Sequence, residues 1–178
     1  MNLGQSILAA AALIAITILV ISANRLIVQS QQDEYRSIAF NQASEIASAL
    51  MNEALSKKFG TNVNPAYYQP PSEFTDPSAL GPEGSEPRFS VSIPDTATTT
   101  STFRSLGSYN DFDDYNGYVR KVNTPALNGF IATCTVTYVQ SGNLNVVSTS
   151  KGYFKRIVVT VQHPVYLSPI SFSAVKTY

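Results

Sequence analysis

The sequence is poor in the residues that carry most enzyme chemistry: it has one cysteine, one histidine and no tryptophan among 178 residues. The lone cysteine, Cys134, cannot form an internal disulfide, so a hydrophobic core must hold the fold together. There is no Cys-x-x-Cys-His motif, which excludes c-type haem attachment, and no glycine-rich phosphate loop, nucleophile elbow or zinc-ligand spacing. We therefore expect a protein that is not an enzyme and needs no cofactor.

Charge is also scarce, since charged residues make up 13% of the chain and the formal net charge is zero. No run of lysine or arginine is dense enough to indicate a nucleic-acid partner. Serine, threonine, asparagine and tyrosine supply the polar surface instead, and a surface without net charge repels its own copies only weakly. This composition favours a protein that tolerates crowding, as in a polymer.

Proline is absent from the first 59 residues, and the only glycine there is Gly4. Residues 7–21 are apolar apart from Thr17, and the first charged side chain is Arg25. This pattern predicts one α-helix over residues 1–59, whose first part, 1–28, is long enough to cross a bilayer or to form a filament core. The residues that we expect to line this membrane or filament-core segment are Met1, Leu3, Gln5, Ile7, Leu8, Leu13, Ile14, Ile16, Ile18, Leu19, Val20 and Ile21.

The second part of the predicted helix, residues 29–59, is amphipathic. Its apolar residues recur at spacings of three and four, which predicts one helix face packed against a sheet. Lys57 and Lys58 suit the negative end of the helix dipole, and Gly60 predicts a left-handed cap after it. The expected helix-to-sheet packing residues are Ile38, Ala39, Ala43, Ile46, Leu50 and Ala54.

Proline is concentrated in the segment that follows, where seven of the ten prolines lie between residues 61 and 94. This excludes helix and disfavours regular sheet. The aromatic residues Tyr67, Tyr68, Phe74 and Phe89 indicate an ordered, extended loop over residues 60–94, with a short strand at 88–93. The hydroxyl-rich stretch 96–102 predicts a solvated loop or edge strand, and O-glycosylation is the alternative interpretation.

From Gly117 onward the side chains alternate between apolar and polar, which predicts an antiparallel β domain over residues 95–178. We expect strands at 129–139, 153–161 and 170–178, a turn at 141–143, and a break at Ser168 and Pro169. The sheet needs a cover for its apolar face, and the second half of the helix can supply it. The predicted fold class is therefore α+β: one long N-terminal helix whose second half packs on a small C-terminal antiparallel sheet.

The acidic stretch 111–118 is the one candidate for metal binding. Carboxylate oxygens are ligands that Ca²⁺ prefers, which makes Asp111, Asp113, Asp114 and Asn116 candidate ligands. The spacing does not fit an EF-hand loop, because Tyr115 stands where the third ligand should be. A simple turn with inward-facing aromatic rings is the competing interpretation.

The two remaining reactive residue types predict no chemistry. His163 precedes a proline at the end of a predicted strand, where an ordinary surface or turn residue is expected. Cys134 lies on the apolar face of a predicted strand, where an inert core thiol is expected.

The N-terminus resembles that of type IV pilins and pseudopilins. Met1 and Leu3 match the hydrophobic positions at the start of that family, and Gln5 stands where the family usually has a glutamate that meets the N-terminal amine of a neighbouring subunit. The glutamine keeps the acceptor oxygen without the charge, which implies a weaker contact. There is no leader before Met1 and no cysteine pair near the C-terminus, both of which the family often has.

The resemblance implies the structural subunit of an extracellular filament, anchored in the membrane before assembly and exposed on the cell surface afterwards. It implies self-association into a homopolymer, an inner-membrane assembly machinery and a prepilin peptidase as partners, the lipid bilayer as an environment, and a methylated N-terminus. Three alternatives stay open: a pseudopilin of a secretion or uptake machine, a single-span membrane-anchored binding or adhesion module, and a secreted β domain whose first 22 or so residues are removed.

Overall fold

A long helix followed by a six-stranded sheet supplies most of the regular structure. The computed structural model describes residues 2–64, 66–97 and 102–178. Three sequence-based expectations lie outside the described residues: Met1 as a core residue, Pro65 in the proline-rich loop, and the centre of the hydroxyl-rich stretch, 98–101. The elements are α1 (Leu3–Ser56), β1 (Asp95–Thr96), α2 (Arg104–Ser108), β2 (Val119–Asn123), β3 (Asn128–Gln140), β4 (Asn143–Val147), β5 (Phe154–His163) and β6 (Leu167–Thr177), with 3₁₀ turns at Pro71–Glu73, Pro77–Ala79 and Asp113–Tyr115.

The chain divides into two compact units, Met1–Ile38 and Ala39–Tyr178. In the described part of the first unit, α1 is exposed up to residue 37. In the second unit, the rest of α1 contacts strands β5 and β6 of the sheet. The predicted α+β fold class is confirmed.

The sheet has the strand order β1-β2-β3-β5-β6, and β4 forms a hairpin with β3. All pairings are antiparallel except that of β1 with β2. The central pairing sets Cys134 opposite Val159 and Val136 opposite Ile157. Because side chains alternate between the two faces of a strand, this register collects apolar residues on one face. The buried residues of β3 and β5 on that face include Phe130, Ala132, Cys134, Val136, Tyr138, Ile157, Val159 and Val161.

Four of the six buried residues of α1 are alanines, whose short side chains allow the helix backbone to lie close to the sheet. The buried set is Ala39, Ala43, Ile46, Ala47, Leu50 and Ala54, and Ile38 is half-buried. Ala47 was missed by the sequence pattern, although it stands four residues after Ala43 on the same face. Substitution of these alanines by larger residues would force the helix off the sheet.

The end of α1 differs from the prediction. The helix ends at Ser56, three residues before Phe59, and Gly60 is not among the glycines with a positive φ. Gly60 instead allows the side chain of Lys155 to come close to the backbone, because a Cβ at Gly60 would lie 3.1 Å from Lys155 Nζ. The carbonyl oxygen of Leu55 in the last turn accepts a hydrogen bond of 2.6 Å from Lys176 of β6. A lysine from the sheet therefore satisfies one of the carbonyl groups at this helix end.

Two strand predictions were wrong in detail. No strand forms at residues 88–93: residues 90–93 make a tight turn, closed by backbone hydrogen bonds in both directions between Ser90 and Ile93, and pairing begins only at Asp95. Strand β6 runs through Pro169 without a break. In the described part of the chain β6 pairs only with β5, and an edge strand tolerates proline because one side of it needs no donor.

Candidate functional site

The apolar first part of α1 is exposed to solvent. Its most apolar 18-residue window has a mean hydropathy of 2.6 and is 0% buried. Exposed fractions run from 49% at Ile21 to 81% at Leu3. By length and composition this stretch could cross a membrane, and a signal sequence near an N-terminus has the same properties. The predicted residues that the structure places on this surface are Leu3, Gln5, Ile7, Leu8, Leu13, Ile14, Ile16, Ile18, Leu19, Val20 and Ile21.

The apolar surface continues beyond the predicted set. Leu26, Ile27 and Val28 are 68%, 57% and 53% exposed, although they follow the charged Arg25. A lone arginine does not end an apolar segment, because its long side chain can reach the polar boundary.

Two of the three hydroxyl groups within this stretch, those of Thr17 and Ser22, are satisfied by the helix itself. Thr17 Oγ1 donates to the carbonyl oxygen of Leu13 at 2.8 Å, and Ser22 Oγ donates to that of Ile18 at 2.8 Å. Such bonds to the preceding turn leave these hydroxyl donors with no need of water. The segment is therefore compatible with lipid or with other helices around it.

In the second unit, the acidic stretch forms a buried cluster of carboxylates. Asp111, Asp113 and Asp114 are exposed by 1% or less. The proline-rich segment adds two glutamates, so that oxygens of Glu83, Asp111 and Asp113 lie within 4.8 Å of one another, as do those of Glu83, Glu86 and Asp114. Neither glutamate was predicted as a ligand from the sequence. The pattern that could have indicated them is a pair of acidic residues between Pro82 and Pro87 in a turn-rich loop.

Asn116, the fourth predicted ligand, is not part of this cluster. Its Nδ2 donates to the carbonyl oxygen of Leu80 at 3.0 Å, and its Oδ1 accepts from the amide of Val136 at 3.0 Å. Both ends of the side chain are used to hold the loop to β3. The expectation that Asn116 is a ligand stays a prediction.

Backbone amides position the aspartates. Asp111 Oδ1 accepts from the amides of Asp113 and Asp114, and Asp114 Oδ2 accepts from those of Asn110 and Asp111. The 3₁₀ turn Asp113–Tyr115 makes these bonds possible by pointing successive amides towards one side. The turn interpretation of the sequence therefore describes the local backbone, but it does not account for the remaining carboxylate oxygens.

Burial raises the pKa values of two of these acids. The pKa of Asp111 rises to about 8 because of burial and then because of the adjacent Asp113 carboxylate. The pKa of Asp114 rises to about 7 because of burial, with the Glu86 carboxylate adding to the effect and backbone amides opposing it. These carboxylates are hard to ionise together, so the cluster favours a bound proton or a bound cation.

Lys155 is the buried positive charge of the cluster. Its Nζ, which is fully buried, donates to Asp113 Oδ1 at 2.9 Å and to the carbonyl oxygen of Phe59 at 2.8 Å. The ammonium also lies over the rings of Phe59 and Tyr138, 4.4 Å and 5.1 Å from their centroids. Burial lowers the pKa of Lys155, and the Asp113 carboxylate opposes that effect.

A second buried charged network joins α1 to the loops. Glu53 Oε2 forms a 2.6 Å ion pair with Arg120, and Glu53 Oε1 accepts from the hydroxyls of Ser105 and Tyr115. Arg120 also donates to the Tyr118 hydroxyl at 2.9 Å. Burial works to lower the pKa of Arg120, but the neighbouring Tyr118 and Glu53 outweigh it and raise that pKa. The carboxylate oxygens of Glu53 both have donors, so this network is complete in itself.

The cysteine and the histidine have structural places. Cys134 is 2% exposed, and burial raises the pKa of its thiol to about 12, as an inert core thiol requires. His163 lies at the predicted turn but is 6% exposed rather than on the surface. Its Nδ1 accepts from the amides of Val165 and Tyr166, and its Nε2 lies 3.0 Å from the carbonyl oxygen of Asn128. The imidazole thus holds the β5–β6 turn together.

Comparison with protein-family models, with curated proteins and with solved structures finds no match to this chain.

Proposed function

We propose that the chain is the structural subunit of an extracellular filament, in which the apolar first part of α1 packs against the same segment of neighbouring copies. The exposed surface from Leu3 to Val28 carries this proposal. An apolar surface of this size has to be covered by lipid or protein, since a soluble monomer rarely leaves one in water. The first residues resemble those of type IV pilins. This resemblance supports a segment that is covered by lipid before assembly and by protein, the helices of neighbouring subunits, after it.

Filament formation is physically reasonable for this segment because the same side chains stay out of water before and after assembly. In the bilayer they contact lipid tails; in the polymer they contact other helices. The alanines at residues 9–12 leave room for close helix–helix approach. Gln5 is exposed in the first turn, and in such a polymer we expect it to meet a neighbouring N-terminus.

The partners follow from the same proposal. The chain assembles as a homopolymer, needs a bilayer before assembly, and depends on an inner-membrane assembly machinery and a prepilin peptidase. Its location is then the cell surface. A pseudopilin of a secretion or uptake machine uses the same helix and differs by its low abundance in the extracellular fraction.

A single-span anchored binding module is the second candidate. It is favoured by an open pocket in the second unit with a volume of about 470 Å³, lined in part by Lys58, Phe59, Tyr68 and Tyr178. Aromatic faces beside a lysine suit small-ligand binding. In this case α1 would remain in the bilayer as a permanent anchor.

Replacing the four alanines at residues 9–12 by leucine separates the two candidates. Leucine keeps the segment apolar, so membrane insertion should persist, but its bulk blocks close helix approach. We expect the variant to stay in the membrane fraction and to give no filaments in sheared extracellular material under the electron microscope. The double variant Leu13→Ile and Ile14→Leu, which preserves volume, should still give filaments. Filaments at wild-type abundance from the leucine variant, or none from the wild type, would contradict the proposal.

A further inference from the structure

We propose that Glu83, Asp111 and Asp113 bind one Ca²⁺ ion beside the hydroxyl of Thr61. The proposal concerns the second unit alone and does not depend on whether the chain polymerises. Three independent features of the site support it: a shortage of hydrogen-bond donors, buried carboxylate oxygens without partners, and a charge imbalance of the right size.

The shortage of donors appears at Thr61. Its Oγ1 lies within hydrogen-bonding distance of a Glu83 carboxylate oxygen and, at 2.5 Å, of Asp111 Oδ2. A hydroxyl has one hydrogen and can donate to only one of these two acceptors. When Asp111 is ionised, three oxygens around this single hydrogen are a poor hydrogen-bonding arrangement, but they are a suitable set of ligands for a cation that prefers oxygen.

The unpartnered oxygens are Asp113 Oδ2 and Asp114 Oδ1, which are buried and have no hydrogen-bond partner in the described part of the chain. Asp113 and Asp114 are 1% and 0% exposed. A buried carboxylate oxygen without a donor costs free energy, because the group has lost its water and gained nothing. In Asp113 the other oxygen is already bonded to Lys155, so its Oδ2 is free to face an ion.

The charge imbalance fits one divalent ion. Glu83, Asp111 and Asp113 bring three negative charges when ionised, and the buried Lys155 ammonium balances one of them. The two charges left over match those of Ca²⁺.

The ligand types favour calcium among the common ions. The three carboxylate oxygens lie within 4.8 Å of one another, so one ion can contact all three, and Ca²⁺ takes such oxygen ligands at about 2.4 Å in a flexible geometry. Mg²⁺ needs shorter, near-octahedral contacts of about 2.1 Å and gives up its water reluctantly. Zn²⁺ prefers nitrogen and sulfur ligands, and this site offers oxygen only.

The neighbouring set formed by Glu83, Glu86 and Asp114 is the weaker site. Glu86 already accepts from the amide of Glu83 at 2.9 Å and from Asn110 Nδ2 at 2.6 Å. An ion there would have to displace those donors. In the set that includes Thr61, the one donor that has to turn away is the rotatable Thr61 hydroxyl.

A bound ion would join three parts of the chain that are far apart in sequence. Thr61 follows the end of α1, Glu83 belongs to the proline-rich loop, and Asp111 and Asp113 precede β2. The loop is held there in the absence of an ion by polar contacts such as that of Asn116 with Leu80. We therefore expect Ca²⁺ to stabilise the second unit without changing its fold.

The test uses the full-length chain in detergent, first stripped with EDTA. We expect isothermal titration to give one Ca²⁺ per chain, and the thermal midpoint to rise by about 5 °C or more at an ion concentration 100 times Kd, since an ion that binds only the folded state stabilises it. Mg²⁺ at the same concentration should give less than half of that rise. No binding of Ca²⁺ and no rise in the midpoint would overturn the proposal.

Glu83→Gln, with Asp76→Asn as the matched control, separates an ion site from carboxylates that merely share protons. Glu83 is only half-buried, so its variant should fold, and Asp76 is an exposed acid of the same proline-rich segment. In EDTA, Glu83→Gln should keep or raise the midpoint because a repulsive charge is removed. In Ca²⁺ it should lose at least four-fifths of the wild-type rise, whereas Asp76→Asn should retain it. A Glu83→Gln variant that keeps the full rise would assign the ion to other residues and overturn the site.

Discussion

The second unit contains two buried clusters of carboxylates that differ in how their charges are satisfied. Glu53 faces Arg120, Ser105 and Tyr115, and each of its oxygens has a donor. In the acidic cluster around Asp113, one lysine serves several carboxylates, and two buried oxygens have no donor. The charges of the first cluster are therefore fully paired, whereas the second cluster can accept one more positive ligand.

The contrast also shows why burial alone does not identify a site. Burial raises the pKa of Tyr115 beside Glu53 as well as that of Asp111 beside Asp113. What separates the two regions is the count of donors against acceptors. Substitutions that upset this count in each region should therefore have different consequences when Ca²⁺ is added.

The largest effect should come from Arg120→Met. This change leaves the Glu53 carboxylate buried without its ion pair, which typically costs about 3–5 kcal/mol. We expect a loss of that size in the free energy of unfolding, measured by urea titration and circular dichroism on the detergent-solubilised chain. Added Ca²⁺ should not restore the loss, because the network has no room for an ion.

The double variant Glu53→Met and Arg120→Met is its control. Removing both charges leaves no unpaired ion, so it should be more stable than Arg120→Met alone. If the double variant were as unstable as the single one, the loss would come from packing rather than from an unpaired charge.

Lys155→Met should have the next largest effect, and here Ca²⁺ should matter. Without the ammonium, Asp113 Oδ1 loses its lysine donor, and we expect a loss of about 2–4 kcal/mol in EDTA. In Ca²⁺ the loss should shrink by at least half, because the ion supplies positive charge to the same carboxylate. Parallel urea titrations of this variant with and without the ion measure the difference. A loss that is the same in both conditions would mean that the two clusters respond alike.

The pH dependence of stability should sharpen the comparison further. In EDTA the folded-state pKa values of Asp111 and Asp114, about 8 and about 7, lie above the ordinary value of 3.8. The folded chain then holds protons that the unfolded chain has released, so the stability due to these groups is full below pH 3.8 and is lost as the pH rises towards 8. Urea midpoints should fall between pH 5 and pH 8.5 in EDTA.

Ca²⁺ should flatten that fall, because the ion replaces the protons among Glu83, Asp111 and Asp113. The variant Asp111→Asn and Asp114→Asn should flatten it in EDTA as well, since it cannot titrate there. A fall of equal slope in all three samples would place the titrating groups elsewhere in the chain.

Sequence analysis could predict the fold because its signals are local. The alternation of residues 129–139 and the spacing of Ala39, Ala43 and Ile46 each follow from the geometry of one element. The end of α1 could not be predicted in the same way, because Lys176 reaches the Leu55 carbonyl from a strand 121 residues away. The prediction of a left-handed cap at Gly60 failed because it also considered only neighbouring residues. A glycine is needed there because Lys155, from a distant strand, comes close to its Cα.

The candidate site was predicted only in part for a related reason. Asp111, Asp113 and Asp114 are adjacent in sequence, so their local density was visible. Glu83 and Thr61 come from other segments, and only the fold brings them to the aspartates. Asn116 shared the density but uses both ends of its amide on the backbone of neighbouring segments, which no spacing rule reveals.

The smallest effect should come from Asp76→Asn, which removes an ion pair with Lys151 at the surface. The two charged groups are 3.1 Å apart, and the side chain of Asp76 is 67% exposed. Exposed pairs contribute about 0–1 kcal/mol because water and salt screen them. We expect a change of the unfolding free energy within that range, reduced further at 1 M NaCl and the same in EDTA and in Ca²⁺. A larger, ion-dependent change would mean that any charge on this loop affects Ca²⁺ binding, and Glu83 could then not be distinguished as a ligand from other acids of the loop.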